Sequence, residues 1–306
     1  MDSLIYHFQT SGVETWIFLP PLIMFLIASA TSMGGVTGAF ILLPFNMSVL
    51  GYTSPGVSAT NFVYNIVAIP LGVWRHIRAG RMCWSLLVVL AVGTLPGVFL
   101  GYVIRIRFMP SPAVFKPFVG AVLAYLAFRV FQGVWADLVA RRQGRDPEGC
   151  EAPARLERTQ VTLREITAEV GGQTYRCSTA PVFALSVVVG VVGGAYGIGG
   201  GAVMAPFCIA VMRLPPFVVA GASLLSTWIT SVVGALIYAF VPLAGSTHSS
   251  PDWLLGALYG VGGMLGVYVG ARLQGRVSAL AIKVVLGIAL VFVAARYLLP
   301  PLLALV

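Results

Sequence analysis

Two apolar stretches of the sequence each carry a face of small polar side chains. The first stretch has Asn61 and Asn65, and the second has Ser223 and Thr227. An i,i+4 spacing places both members of a pair on one face of a helix. Amides and hydroxyls can donate hydrogen bonds, so these four residues are candidate ligands of an oxyanion. Hydrogen bonding between helices is the rival explanation.

Two glycine-rich segments could bind the same kind of ligand through their backbone. The first tip joins the apolar runs 16–33 and 36–50, and its candidate binding residues are Gly34, Gly35, Thr37 and Gly38. The second tip joins runs 181–196 and 202–212, and its candidates are Gly197, Gly199, Gly200 and Gly201. A helix is expected to start after each tip, where free N–H groups and the helix dipole favour an anion. Close helix packing is the alternative role of these glycines.

Three basic side chains are weaker candidates for a gate or mouth that attracts anions. Lys116 and Lys283 begin matched apolar runs, and His76 lies at the edge of another. Long basic side chains at such positions usually anchor a helix at the membrane surface, so the anchor role stays open for both lysines.

The elements that position these residues are membrane helices. Hydrophobic residues make up 58% of the 306 residues and charged residues only 9%. Because a soluble globule needs more polar surface, this composition excludes a soluble enzyme, a disordered protein and a nucleic-acid binder. The sequence predicts full spans at 57–77, 84–104, 112–134, 217–241, 253–272 and 279–299. Each glycine-tipped pair of short runs is expected to form a re-entrant or part-spanning helical hairpin.

The chain repeats itself. An offset of 162 places Gly35 on Gly197 and Gly38 on Gly200, and a later offset of 167 places Lys116 on Lys283. The predicted domains are a membrane repeat at 1–135, a polar insert at 136–179 and a second repeat at 180–306. The fold class is therefore an all-α polytopic membrane protein with two repeats, each a hairpin plus three transmembrane helices.

Charge predicts the orientation of the repeats. Three crossings per half invert the second half, which is a common transporter architecture. With the N-terminus outside, 15 basic residues fall on the cytoplasmic side and four outside, as the positive-inside rule requires. Residues 136–178 carry seven charges of each sign, so the net +9 belongs to the membrane part. The insert is expected in the cytoplasm, with a small β-hairpin at 160–175.

All carboxylates are expected outside the spans, which leaves no acid for a proton relay or a cation cage. The four cysteines form no metal-ligand pattern, and no cofactor or metal is expected. An anionic or neutral solute fits this composition better than a cation. The coupling ion, H⁺ or Na⁺, stays open.

At these residues the sequence resembles the sulfite exporter TauE/SafE family of sulfur-compound permeases. The likeness lies in Gly34-Gly35 followed by Pro44 and in Gly197 to Gly201 followed by Pro206. It continues through the polar helices and the basic turn before Trp84 to the lysine helices, and it leaves out the insert. The resemblance implies a multi-pass protein of the bacterial inner membrane that transports small sulfur-containing anions, such as sulfite or sulfonates.

The sequence therefore predicts a secondary transporter, not an enzyme, in which opposed tips bind the anion by alternating access. Its expected partners are the anion and the lipid bilayer, with no nucleic acid and with a homo-oligomer left open. An anion channel and a non-transporting scaffold or sensor that acts through the insert are the alternatives.

Overall fold

The structure is a computed structural model of the chain. It describes residues 5–33, 38–143, 156–162, 164–170, 173–200, 204, 207–208, 216–241, 243, 249–273 and 279–303.

Ten helices in the described ranges build the molecule. They are α1 Leu19–Met33, α2 Ala39–Ser48, α3 Gly56–Ala68, α4 Pro70–Arg78, α5 Trp84–Arg107, α6 Pro112–Arg142, α7 Thr179–Tyr196, α8 Pro216–Phe240, α9 Trp253–Leu273 and α10 Ala279–Leu303. The strands are β1 Ile5–Phe8, β2 Val13–Trp16, β3 Leu156–Val161, β4 Glu165–Val170 and β5 Gln173–Ser178.

Seven helical segments are long and apolar enough to cross a membrane, which confirms an all-α polytopic membrane protein. Six of them match the predicted spans. The seventh, Thr179–Tyr196, contains the run expected to be a short hairpin arm. Large apolar side chains such as Trp135 and Phe292 are exposed on the outer helices, as a lipid-facing surface requires.

Small residues let two pairs of parallel helices pack closely. In α9, Gly262 lies against the backbone of Pro21 in α1, and two turns later Gly270 lies against Ser29. A second contact of this kind joins α5 to α7, where a Cβ at Gly97 would lie 2.4 Å from the carbonyl oxygen of Val187. A side chain at these positions would force the helices apart.

The remaining contacts set the directions of the central helices. Phe62 in α3 packs on Gly234 in α8, and Trp228 donates a hydrogen bond to the carbonyl of Ile66 at 3.1 Å, so these two helices are antiparallel. By contrast, α9 runs parallel to α3. The helices α5 and α8 share one apolar cluster near their starts and a tyrosine contact near their ends, so they too are parallel. An inverted repeat predicts the same directions, and the repeat itself stays a prediction.

The long helices α6 and α10 pack antiparallel at one side. Lys283 in α10 forms a 2.8 Å ion pair with Asp137 in α6. This corrects the expectation that every carboxylate lies outside the spans, because the helix continues to Arg142 and its apolar segment Pro112–Val139 contains Asp137. Residues 135–142 include good helix formers, which extend the helix beyond the apolar run.

Two small sheets cover the helix ends. Strands β1 and β2 form a hairpin whose turn residue Ser11 donates a 2.7 Å hydrogen bond to Asp252. The same carboxylate accepts the N–H of Leu255 and so caps the start of α9. The insert has three antiparallel strands, β3, β4 and β5, where the sequence predicts a two-stranded hairpin. Ile166 of β4 is buried in an apolar cluster with Leu86 of α5.

Candidate functional site

Helix α3 presents a polar face that is fully buried. Ser58, Asn61 and Asn65 expose 1% or less of their surface. Pro55 precedes α3, and Pro70 begins α4 after a single intervening residue. The two prolines therefore limit α3 to a short helix. Buried polar groups are costly unless they are hydrogen-bonded, so the partners of this face reveal its role.

The second tip depends on two glycines with left-handed backbone. Gly197 has φ +89° and ends α7, where its N–H donates to the carbonyl of Gly193 at 2.7 Å. Gly199 has φ +67°. A Cβ at Gly197 would also lie 2.2 Å from the carbonyl oxygen of Ser58. Only glycine satisfies both the torsion and the contact, so the sequence pattern reflects a tight turn pressed against α3.

The polar face of α3 holds both tips. Asn61 donates to the carbonyl of Ala39, which directly follows the first tip, at 3.0 Å. Asn65, one turn on, donates to the carbonyl of Ile198 within the second tip at 3.2 Å. The two predicted ligands therefore donate one amide hydrogen each to the protein, and each amide retains a second N–H.

A tyrosine connects the end of α7 directly to the start of α2. The Tyr196 hydroxyl, at the end of α7, donates to the carbonyl of Phe40 in the first turn of α2 at 2.7 Å. Both side chains are completely buried. The end of α7 and the start of α2 thus meet, and the arrangement of opposed tips stays a prediction.

Helix α8 approaches the second tip from another side. A Cβ at Gly199 would lie 2.7 Å from the Thr227 side chain and 3.3 Å from the Ser231 hydroxyl. Thr227 donates to the carbonyl of Ser223 at 2.8 Å. In the part of the chain that the structure describes, the buried hydroxyls of Ser223, Ser226 and Ser231 have no hydrogen-bond partner. Unsatisfied buried hydroxyls next to a turn are available to a ligand.

A cavity of about 320 Å³ opens beside the first tip and the polar face of α3. Gly38 and Asn65 line its inner end, and Arg75 and His76 of α4 line its other end. Gly38 caps the start of α2 without any side-chain hydrogen bond. This helix start has no charged group of its own and faces the cavity, so its dipole favours an anion there.

The outer end of the cavity is cationic. The Arg75 guanidinium lies 5.1 Å from the ring centroid of Tyr268, and that of Arg272 lies 4.4 Å from the same centroid. Cation–π contact holds both arginines near the entrance. No described residue that lines the cavity is a carboxylate. The potential therefore favours entry of an anion.

The structure brings some of the candidates together and separates others. Gly38, Asn61, Asn65, Gly197, Gly199, Gly200, Ser223 and Thr227 lie on the tips or on the two helices beside them. Gly34, Gly35, Thr37 and Gly201 lie outside the described residues. His76 lines the cavity, whereas Lys116 lines a different one and Lys283 is paired with Asp137. The binding roles of all these residues stay predictions.

Sequence reasoning missed two residues. Arg75 was counted only among the basic residues expected on the cytoplasmic side, although residues 65, 68, 72 and 75 follow helical spacing and so share one face. Tyr196, which connects α7 to α2, has no signal beyond its place before Gly197. A metal cluster is also absent: the described residues contain no group of three or more His, Cys, Asp or Glu side chains that could hold an ion.

Comparisons with known proteins find one family model and several relatives. The family model for "Sulfite exporter TauE/SafE" matches residues 21–297. A "probable membrane transporter protein" of Xylella fastidiosa (strain 9a5c) is 27% identical over 83% of each chain, and one from strain Temecula1 is 26% identical over the same share. The "probable membrane transporter protein YunE" of Bacillus subtilis is 28% identical over 37% of this chain and 40% of its own. No solved structure matches the chain.

Proposed function

The chain belongs to the sulfite exporter TauE/SafE family and is a multi-pass membrane transporter, and we propose that its substrates are small sulfur-containing anions such as sulfite or sulfonates. The proposal rests on the family and on one observation. This observation is a cavity that joins the first tip, at Gly38, and Asn65 to a cationic entrance without a carboxylate among its described lining residues.

The chemistry of the cavity suits an oxyanion of one or two charges. The entrance arginines raise the local anion concentration, and the inner end offers neutral donors from amides, hydroxyls and a helix start. Because Asn65 at the inner end is uncharged, no fixed cation there holds the anion, and the anion can leave again. A buried arginine in the same place would bind an oxyanion tightly and slow its release.

Transport proceeds by alternating access between two ends of the molecule. The cavity opens at the end predicted to face the cytoplasm. At offset 162 the counterparts of Arg75 and His76 are Ile237 and Tyr238. Tyr238 donates to the carbonyl of Gly194 at 3.0 Å, and its ring centroid lies 4.7 Å from that of Tyr102. These contacts close the opposite end, and they separate in the outward-open state.

The closed end also argues against the alternative of an anion channel. An open channel needs a continuous path, and tyrosines fill the position that mirrors the cavity. A carrier of this kind gives saturable flux and counterflow, whereas a channel gives unitary currents.

The test is flux of sulfite and of a panel of sulfonates into liposomes that contain the purified protein. We expect saturable uptake that is accelerated by unlabelled substrate on the opposite side. The Arg75→Gln variant should need an about fivefold higher substrate concentration for half-maximal uptake, since one cation at a site entrance contributes about 1 kcal/mol.

Arg78→Gln is the matched control. Arg78 lies on the same helix, is exposed, and stacks on Trp74 outside the cavity, so its replacement should change uptake less than twofold. If sulfur-containing anions produce no saturable flux in wild-type protein while other anions do, the proposed substrate class is wrong. Equal effects of Arg75→Gln and Arg78→Gln on uptake would contradict a role of Arg75 at the entrance.

A further inference from the structure

A second cavity, of about 520 Å³, lies at the other end of the helix pair α6 and α10. It is lined by Ser48 at the end of α2, by Ala113 and Lys116 at the start of α6, and by Arg296 and Tyr297 near the end of α10. None of its described lining residues lines the cavity at the tips. It is therefore a separate pocket, with two cations at its wall.

The floor of this pocket is rigid. The hydroxyls of Ser48 and Tyr297 are hydrogen-bonded to each other at 2.6 Å, and Tyr297 is also 3.3 Å from the carbonyl oxygen of Pro44. The Lys116 ammonium lies 6.0 Å from the centroid of the same ring. Because these bonds fix Tyr297, the lysine has a preformed aromatic surface beside it.

The repeat supplies an internal comparison for the two cations. Lys116 corresponds to Lys283 at offset 167, and Lys283 is neutralised by Asp137 at 2.8 Å. Within the described ranges, the ion pairs are this one and His7–Glu14. Lys116 and Arg296 thus line their pocket without an acidic partner in the part of the chain that the structure describes. An uncompensated pair of cations beside a cavity attracts an anion from outside the protein.

The surroundings indicate which anion. Arg296 is exposed on α10 together with Phe292 and Leu299, which lie four residues before it and three after it on the same face. Val114, at the start of α6, is exposed as well. This apolar surface continues from the pocket along the lipid-facing side of the helices. A ligand with an anionic head and apolar tails would contact both the cationic pocket and this apolar surface.

We propose that this pocket is a binding site for a phosphate-type oxyanion, contributed by the headgroup of an anionic phospholipid. Lys116 and Arg296 contact the phosphate oxygens, and the start of α6 adds the positive end of its dipole. The acyl chains lie along Phe292 and Leu299. Free inorganic phosphate shares the headgroup chemistry and is the other source that the experiment must separate.

The test is native mass spectrometry of the delipidated full chain in detergent, titrated with phosphatidylglycerol and, separately, with phosphatidylcholine. We expect tighter retention of phosphatidylglycerol. The substitutions Lys116→Ala and Arg296→Ala should each weaken its binding about fivefold, since a basic residue near a lipid surface contributes about 1 kcal/mol. Arg107→Ala is the matched control, because Arg107 is exposed at the adjoining end of α5 outside the pocket.

A third variant tests charge without removing either cation. Ala113→Asp places a carboxylate in the pocket wall, as Asp137 does beside Lys283, and should weaken phosphatidylglycerol binding by a similar factor. Inorganic phosphate at constant ionic strength separates the sources. Displacement of the lipid by phosphate shows that the pocket takes free oxyanions also, and retention of the lipid assigns the pocket to the headgroup.

The proposal is overturned if phosphatidylglycerol and phosphatidylcholine bind equally well and inorganic phosphate binding does not depend on Lys116 or Arg296. It is also overturned if Arg107→Ala weakens binding as much as the two pocket variants. Neither readout involves transport, so the result does not depend on the substrate of the carrier.

Discussion

At the residue scale, Gly197 combines a torsion and a contact that only glycine permits. Its φ of +89° is costly for any other residue, and its Cα faces the backbone of Ser58. The same residue ends α7 and begins the second tip. Local strain at this position would therefore change the site as well as the stability.

Gly197→Ala should lower the unfolding temperature measured by tryptophan fluorescence. The left-handed torsion costs about 1–2 kcal/mol, and the 2.2 Å approach of a Cβ to the Ser58 carbonyl oxygen adds to it. Gly133→Ala is the control, because Gly133 lies within α6 and a Cβ there meets nothing within 4 Å. That change should stabilise by about 0.5–1 kcal/mol. Equal unfolding temperatures for the two variants would contradict the tip geometry.

The predicted polar residues illustrate what sequence can and cannot supply at this scale. The i,i+4 spacing correctly placed Asn61 and Asn65 on one helix face. Their hydrogen-bond partners could not be predicted from the sequence, since Asn65 donates to the carbonyl of Ile198, which is 133 residues away in the chain. That contact depends on the approach of the two halves in space, which local spacing does not encode.

At the element scale, the lengths of the apolar runs predict six of the seven span-length segments. The seventh segment, α7, and the additional strand β3 were not predicted, and each has a physical cause. The helix α7 has 18 residues because it begins at Thr179, directly after strand β5. Strand β3, the first of the insert, lacks the alternation of apolar and polar residues on which the predicted hairpin was based. It pairs with β4 through backbone hydrogen bonds, which side-chain patterns report weakly.

Packing of the insert sheet on α5 leads to a pH-dependent prediction. Burial, with a smaller effect of the nearby Cys83, raises the pKa of Cys177 in β5 to about 11. Alkylation requires the thiolate, so near pH 8 Cys177 should react roughly 100-fold more slowly than an ordinary thiol of pKa near 9. Its rate should rise with pH up to about 11. Mass spectrometry of maleimide-labelled peptides measures these rates.

Undocking the sheet should restore ordinary reactivity. Ile166 pairs with Cys177 across β4 and β5 and is buried against α5, so Ile166→Asp should expose the thiol and accelerate labelling at least tenfold. Thr174→Asp, on an exposed position of β5, should leave the rate unchanged. Fast labelling of Cys177 in the wild-type protein would show that the sheet does not pack as described.

At the scale of the whole molecule, the distribution of charge predicts how the chain crosses the membrane. Of the 12 basic residues outside the insert, eight are predicted at the cytoplasmic end and four at the other, where Asp252 lies beside the β1–β2 hairpin. Composition does not predict how the two halves of the chain pack together. Helix α1 packs on α9 and α7 packs on α5, so each pair joins a helix of one half to a helix of the other.

Cysteine labelling in intact cells tests this orientation. In a variant without native cysteines, Ser250→Cys before α9 should react with a membrane-impermeant maleimide added outside. Arg78→Cys at the end of α4 should react only after the membrane is permeabilised. Both positions are exposed, so accessibility to reagent depends on the side of the membrane. The opposite labelling pattern would reverse the topology and the direction in which the cavity opens.

The central claim is that the tips and the polar helices beside them bind the anion, and sulfite binding to purified variants tests it most directly. Asn65→Leu and Ser223→Ala should each weaken binding at least tenfold, since one hydrogen bond to a charged ligand contributes about 1.5 kcal/mol or more. The Ser223 hydroxyl has no partner among the described residues, so its removal should leave the unfolding temperature unchanged. Gln132→Leu, an exposed amide on α6, is the control and should bind normally. Normal sulfite binding by folded Asn65→Leu and Ser223→Ala proteins would contradict the site.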